Sequence, residues 1–209
     1  MRRVDRLIEE LCGAVGDERV LDALRAVPRE AFVPRALRAR AYDNVALPIG
    51  RGQTISQPLV VARMADLLRL KATDRVLDVG TGSGYHAAVL AQLAGHVWSV
   101  ERHRDLAEQA DRNLRRAGIE NVTTLVGDGS RGLPDAAPFD AINVAAAAWP
   151  EIPPALERQL APGGRLVAPV GASGQQLVLV ERGAGEEVGE LARTTLEPVR
   201  FVPLIEGGA

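Results

Sequence analysis

The apolar positions of this chain change period partway along it. In "VDRLIEELCGAV", Val4, Leu7, Ile8, Leu11 and Val15 recur every three or four residues and form one stripe, which predicts an amphipathic helix. Asp17 is suited to cap the next helix, "ERVLDALRAV", and Pro28 can open a further turn, so residues 3–40 read as helical. From Tyr42 to Pro58, "YDNVALPIGRGQTISQP" has no period, and Pro48, Gly50, Gly52 and Pro58 predict irregular chain. Ser56 is a candidate cap for the helix "LVVARMADLLRL", with Pro58 in its first turn.

After Lys71 short apolar runs alternate with amphipathic ones. "RVLDVG", "HVWSVE", "NVTTLVG" and "FDAINVA" read as buried strands. Between them "GYHAAVLAQLA", with Ser83 as candidate cap, and "HRDLAEQADRNLRRAG" read as helices. "PPALERQL" predicts a short helix ending before Pro162-Gly163-Gly164, and "GRLVAPVG", "QQLVLVER" and a run within "ELARTTLEPVRFVPL" predict further strands. Strands alternating with helices imply an α/β, doubly wound, mostly parallel sheet covered on both faces. The last strands have no helix between them, which predicts an antiparallel edge. "GAGEEVG", Gly183 to Gly189, reads as an exposed hairpin turn.

Composition removes several function classes. The 209 residues suffice for one well-buried domain with a small extension, and 46% apolar with 25% charged residues is ordinary for a globular chain. A net charge of -2 and seven aromatic residues give neither the basic field nor the stacking platform of a nucleic-acid binder. Cys12, the single cysteine, rules out an internal disulfide and a multi-thiolate zinc site. No apolar run nears the roughly 20 residues of a membrane helix, and Met1 to Leu11 is charged throughout, so a soluble, cytoplasmic protein is expected. His86, His96 and His103 lack metal-ligand spacing and read as structural or solvated. Trp149 reads as a border of a cleft or as a half-buried loop anchor, and Cys12 as a small buried residue of the first helix.

The chemistry concentrates at the ends of the predicted strands. In "LDVGTGSG", Gly80, Gly82 and Gly84 lie between a strand and a helix, where backbone can approach a ligand; a plain tight turn is the alternative. The spacing is G-x-G-x-G, not the G-x-G-x-x-G that suits a pyrophosphate. Asp78 sits two residues before the first glycine, where its charge suits a cationic ligand and opposes a phosphate. Glu101 ends the second strand, where an acid can accept from two ribose hydroxyls. Asp128, in "VGDGS", ends the third, where it can accept from an adenine amino group or serve as a turn residue. A positively charged nucleoside without phosphates, such as S-adenosylmethionine, fits these features better than NAD.

Over nearly the whole chain, from about Arg19 to Leu204, the sequence resembles the protein-L-isoaspartate O-methyltransferase family. The resemblance rests on "AVPREAFVP", "LPIGRGQTISQP", "VLDVGTGSGYHAAVLA", "VGDGS", "FDAINVAAAA", "PGGRLVAPVG" and "FVPL". "GQTISQP" is its most specific element, because general methyltransferases share the glycine loop and lack this segment. The resemblance implies a class I, Rossmann-like methyltransferase. It implies S-adenosylmethionine as donor, S-adenosylhomocysteine as product, and isoaspartyl proteins and peptides as substrates. Residues 1–56 would form a helical extension with the substrate loop, and residues 57–209 the donor-binding domain, together one compact unit. It further implies Ser56 as the active-site hydroxyl and Thr54 as a second substrate contact. Donor contacts would come from Asp78, Gly80, Thr81, Gly82, Ser83, Gly84, Glu101, Asp128 and Gly129. A monomer is expected, with no metal, membrane or nucleic acid.

The residues of "GQTIS" suit that chemistry. A side-chain carboxylate, with an ordinary pKa of about 3.9, is already a nucleophile at neutral pH and needs no general base. Hydroxyls can hold it by donating hydrogen bonds. The family pattern is broken at Asn44 (an acid elsewhere), Ala46 (a proline), Ala145 (Thr in many bacterial members) and Ile205 (Thr), which predicts altered loop rigidity and tail contacts. The alternative within this chemistry is methylation of an aspartate in a dedicated ribosomally made peptide. A nicotinamide oxidoreductase conflicts with the glycine spacing, and a non-catalytic binding protein with the intact Ser56.

Overall fold

The computed structural model of the protein describes residues 2–185 and 190–207. The stripe read from the sequence becomes α1 (Arg3–Leu11), which buries Val4, Leu7, Ile8 and Leu11. In α2 (Glu18–Ala26) the Asp17 carboxylate accepts from the Arg19 amide as the expected cap. Two 3₁₀ turns follow, Arg29–Phe32 and Arg35–Arg40.

The stretch expected to be irregular is instead a small hairpin. Strand β1 (Leu47–Gly50) pairs antiparallel with β2 (Gln53–Ile55), setting Pro48 opposite Thr54. Proline and glycine normally argue against a strand, but a two-stranded ribbon has free edges where a missing donor costs little. Gly50, Arg51 and Gly52 all have positive φ and make the tight reversal. In α3 (Pro58–Leu68) the cap position is Gln57, not Ser56, and no side chain caps it. Asn44 Oδ1 accepts from the Leu59 amide at 3.0 Å and stands in for the missing cap. This releases the Ser56 hydroxyl from a purely structural duty.

The remaining elements are β3 (Arg75–Val79), α4 (Tyr85–Ala91), β4 (His96–Glu101), α5 (Arg104–Arg116), β5 (Val122–Val126), β6 (Phe139–Val144), α6 (Pro154–Arg158), β7 (Leu160–Val170), β8 (Gln176–Arg182) and β9 (Leu191–Pro198). They form a seven-stranded sheet in the order β5-β4-β3-β6-β7-β8-β9. The first five strands are parallel, and β8 runs antiparallel to both its neighbours, as the missing helices required. Strand β7 starts before Pro162-Gly163-Gly164, not after it. The pairing jumps from Phe139–Leu160 to Ala141–Arg165, so the extra residues are absorbed as a bulge. The turn expected at Gly183–Gly189 falls in part on residues 186–189, outside the described residues.

The sheet buries both faces. Val76, Ala141 and Val167 face a cluster that includes Val4, Leu24, Met64 and Val89, so the N-terminal helices and the sheet share one core. Leu77, Val79, Ile142, Val144 and Leu166 pack on the other side against Leu156 of α6. The chain runs outward from β3 through β4 to β5, then returns to β6 on the opposite side of β3. The crevice at the carboxyl ends of β3 and β6 is therefore the switch point where such sheets bind ligands. No helix among the described residues is long and apolar enough to cross a membrane.

Candidate active site

The loop after β3 turns into α4 through three glycines with positive φ: Gly80 (+94°), Gly82 (+54°) and Gly84 (+88°). Gly80 and Gly82 line a cavity of about 270 Å³ at the switch point. Gly84 does not: a Cβ there would meet Ala110 and Leu114 at 3.3 Å, so the third glycine serves the packing of α4 on α5. Glu101 is buried in the cavity wall. Its Oε2 accepts from the Gly82 amide at 2.9 Å and its Oε1 from the His103 amide at 3.0 Å. One carboxylate thus ties the glycine loop to the start of α5 while facing the cavity.

Asp78 is placed differently from the sequence expectation. It is fully buried beneath the loop, not in the cavity wall. Its Oδ2 accepts from Ser99 Oγ at 2.6 Å and its Oδ1 from Asn143 Nδ2 at 2.7 Å. Thr81 Oγ1 lies 2.6 Å from Ser99 Oγ, extending the network into the glycine loop. The acid therefore braces the loop from below; inward-facing alternation on a central strand outweighs proximity to the glycines. Thr81 and Ser83 are likewise buried and absent from the cavity lining. Burial pushes the Asp78 carboxyl up to about 6, against the hydrogen bonds from Ser99 and Asn143 that favour its charged form, with Glu101 adding a smaller upward push. His86, which faces Asn143 at 3.3 Å, is held neutral by burial, its pKa lowered to about 3.

A stability prediction follows from this acid. With a folded pKa of about 6 against an ordinary 3.8, the native state binds the proton more tightly than the unfolded chain. As pH falls from 7 to 4 the Asp78 contribution should therefore become more favourable, by on the order of 2 kcal/mol. Denaturant unfolding of the wild type and of Asp78→Asn across that range isolates it, because the other groups cancel in the difference. A difference independent of pH would refute the assignment.

Asp128 caps a short turn, with Oδ1 accepting from the Ser130 amide and hydroxyl, and Oδ2 accepting from the Gly207 amide at 2.8 Å. Its neighbour Gly129 lines the cavity, and a Cβ on Gly129 would stand 2.5 Å from Val79 Cγ1. Asp128 itself is not among the residues that line the cavity.

The hairpin closes the cavity from above. Gln53 and Thr54 line it, and a Cβ on Gly82 would meet Ile49 Cδ1 at 3.4 Å. Arg51 at the hairpin tip pairs with Asp105 of α5 at 2.8 Å. On the far side the tail contributes Val202 to Ile205, held by hydrogen bonds of 2.8 Å from Ala147 N to Val202 O and from Leu204 N to Ala147 O. A second, larger cleft of about 700 Å³ adjoins it, lined by Ala46, Thr54, Ser56, Gln57, Val60, Ala145 and residues 198–202. Thr54, Ala145 and Val202 line both, so the two spaces meet beside the hydroxyl loop.

Several contributors had no signal in the reading of the sequence. His103, read as structural or solvated, lines the first cavity, as do Arg102 and Ala146. Trp149 is 65% exposed and lines neither space, so it is neither a cleft border nor a buried anchor. Cys12 is exposed rather than buried, at the cap position just after the last residue of α1. Asn44 donates to Glu10 Oε1 at 2.8 Å and accepts from Leu59, a pair of roles that the acid found elsewhere could not combine. Arg29, inside the quoted "AVPREAFVP", is fully buried and donates from Nη2 to the Ser56 carbonyl at 2.8 Å. Its signal was the motif itself, which gave no reason for a buried cation.

The profile of the family described as protein-L-isoaspartate(D-aspartate) O-methyltransferase matches residues 2–209. A solved protein-L-isoaspartate O-methyltransferase is 31% identical over 98% of this chain, with a TM-score of 0.86; the chain spans 66% of that protein's length. A putative protein-L-isoaspartate O-methyltransferase from Plasmodium falciparum, solved with S-adenosyl-L-homocysteine, is 25% identical over 99% of this chain and 100% of its own, with a TM-score of 0.84. A precorrin-6Y C5,15-methyltransferase from Geobacter metallireducens, 17% identical over 69% of this chain and 88% of its own at a TM-score of 0.52, shares the fold alone. The chain belongs to the protein-L-isoaspartate(D-aspartate) O-methyltransferase family. It has the class I, Rossmann-like α/β fold of methyltransferases.

Proposed function

We propose that this enzyme methylates the free carboxylate of L-isoaspartyl residues in damaged proteins and peptides, with Thr54 and Ser56 holding that carboxylate at the junction of the two cavities. The observation that carries the reading is the shared wall. Thr54 borders the donor cavity and the open cleft, and Ser56 borders the cleft. The residues of the first cavity suit S-adenosylmethionine: glycine backbone allows close approach, Glu101 offers a carboxylate to a ribose diol, and Pro203 to Ile205 offer an apolar wall. When bound, that molecule supplies an electrophilic methyl group on a sulfonium.

The protein's part is positioning. Thr54 and Ser56 donate hydrogen bonds to one carboxylate oxygen and leave a lone pair of the other free for attack. Hydroxyls orient without neutralising the nucleophile, and alignment of this kind can supply much of the rate enhancement. A carbon–oxygen bond forms as the methyl–sulfur bond breaks, its electron pair returning to sulfur, and no proton moves. The methoxy group of the ester leaves far more readily than the oxygen of a carboxylate, so the neighbouring amide nitrogen can close on the ester carbonyl to a succinimide with loss of methanol, and the succinimide hydrolyses partly to aspartate. Glycine-loop contacts through Gly80, Gly82 and Gly129, with Asp78, Thr81, Ser83, Gly84 and Asp128 shaping the loop and its surroundings, complete the donor site in this reading. We place the enzyme in the cytoplasm as a monomer, in keeping with its single cysteine and ordinary charge balance.

The deciding experiment is transfer of labelled methyl to one short peptide carrying isoaspartate and to its aspartate twin. Label on the isoaspartyl peptide alone is expected, and equal labelling of both would sink the substrate assignment. Ser56→Ala should then lower kcat/KM for the isoaspartyl peptide about tenfold while leaving affinity for S-adenosylhomocysteine within about threefold, the loss of one hydrogen bond to a charged group. A parallel loss of both would put Ser56 in the donor site instead.

A further inference from the structure

Among the described residues, the cleft around Ser56 is lined by a single charged side chain. Of its lining residues, Ala46, Val60, Pro198, Val199, Phe201 and Val202 are apolar and Thr54, Ser56 and Gln57 are neutral; only Arg200 carries charge. Arg200 is exposed, and no hydrogen bond or ion pair occupies its guanidinium among the described residues. The nearby acid of the same segment, Glu197, is already paired with Arg63 at 3.0 Å.

The backbone on either side of Arg200 is nevertheless fixed. Val199 N donates to the Gln175 carbonyl at 3.0 Å, Phe201 N donates to Gln175 Oε1 at 2.6 Å, and Gln175 Nε2 donates back to the Phe201 carbonyl at 3.0 Å. Residues 199 and 201 are half-buried while 200 is not, so the side chain between them is presented outward at the cleft. An unpaired cation on a rigid platform beside a neutral cleft gives the cleft a positive field with nothing inside to neutralise it.

We propose that Arg200 selects among isoaspartyl sites, favouring those with an acidic residue beside the isoaspartate. This rests on the isoaspartyl reading above: the reactive carboxylate is taken by the hydroxyls, which leaves Arg200 for a neighbouring carboxylate. A guanidinium is always charged and takes a carboxylate bidentately, so the preference is for acid over amide over lysine. At an exposed site the discrimination is modest and weakens with salt.

The test uses three isoaspartyl peptides that differ only in the flanking residue, Glu, Gln or Lys, with wild type, Arg200→Gln and Arg200→Glu. For the wild type at low salt, kcat/KM should be about two- to fivefold higher for the Glu peptide than for the Gln peptide, and lower again for Lys. That gap should shrink at about 0.5 M salt. Arg200→Gln should flatten the ranking, and Arg200→Glu should reverse it. A ranking that is the same in all three proteins would overturn the proposal. So would a uniform loss for all peptides in the variants, which would make Arg200 a structural residue or a holder of the reactive carboxylate. Failure of the wild type to methylate even the Gln peptide would instead overturn the isoaspartyl reading itself, and the selection with it.

Discussion

Glu101→Gln is expected to weaken binding of S-adenosylhomocysteine about a hundredfold, as measured by calorimetry. The substitution keeps size and shape almost unchanged, so the effect is one of donor and acceptor count. Glu101 accepts from two backbone amides at once, Gly82 at 2.9 Å and His103 at 3.0 Å. An amide side chain has one acceptor oxygen, and its NH₂ must then face one of those N–H groups, donor against donor. If the NH₂ turns to Gly82, the glycine loop is pushed off the cavity; if it turns to His103, the start of α5 is. Any remaining hydrogen bond to a ribose diol also loses its charge assistance. Hydrogen bonds to charged groups contribute roughly 1.5–3 kcal/mol each, which sets the scale of the expected loss. An affinity within threefold of wild type would mean that the loop is held by the sheet alone and that the donor makes its contacts elsewhere.

That prediction also marks what could be read from the sequence. The parallel sheet, the antiparallel edge and the position of Glu101 follow from period, run length and strand ends, which are local properties. The role of Asp78 does not. A charge two residues before a glycine loop looks available to a ligand. Only the pleat of β3 and the donors Ser99 and Asn143, 21 and 65 residues away in sequence, turn it inward. The hairpin over the cavity was hidden for a different reason: Pro48, Gly50 and Gly52 carry turn signals, and a ribbon with free edges tolerates them. The tail contributed the motif "FVPL" but no reason for it. Its place in the cavity wall depends on the bonds between residues 202–204 and Ala147, made across the sheet.

Arg29→Met is expected to do more damage than any single change to the hydroxyls themselves. Arg29 is fully buried with no carboxylate partner among the described residues; burial lowers its pKa, and Tyr85, whose ring lies 4.7 Å from the guanidinium, supports the charge. Its nitrogens donate to the Ala41 carbonyl at 2.8 Å and to the Ser56 carbonyl at 2.8 Å, with Val45 further off at 3.5 Å. One side chain therefore ties the segment before the hairpin to the residue just after it. Glu30, the nearest acid in the chain, does not neutralise it in this way, since it accepts from the Tyr42 hydroxyl. Methionine fills much of the volume and removes the cost of burying a cation, but it leaves buried carbonyls without donors. Each such orphan costs about 1–3 kcal/mol, so a net loss of about 2–4 kcal/mol in denaturant unfolding is expected. Below the melting range, the freed Ser56 backbone should lower kcat/KM for the isoaspartyl peptide by about ten- to a hundredfold, chiefly through KM. Donor affinity should stay within about threefold, because the glycine loop is anchored by Glu101 and the network under Thr81. Arg29→Lys, able to reach one carbonyl but not both, should fall between the two proteins. If donor affinity instead fell in step with kcat/KM, Arg29 would be bracing the whole N-terminal layer, and Ser56 would owe its position to the hairpin.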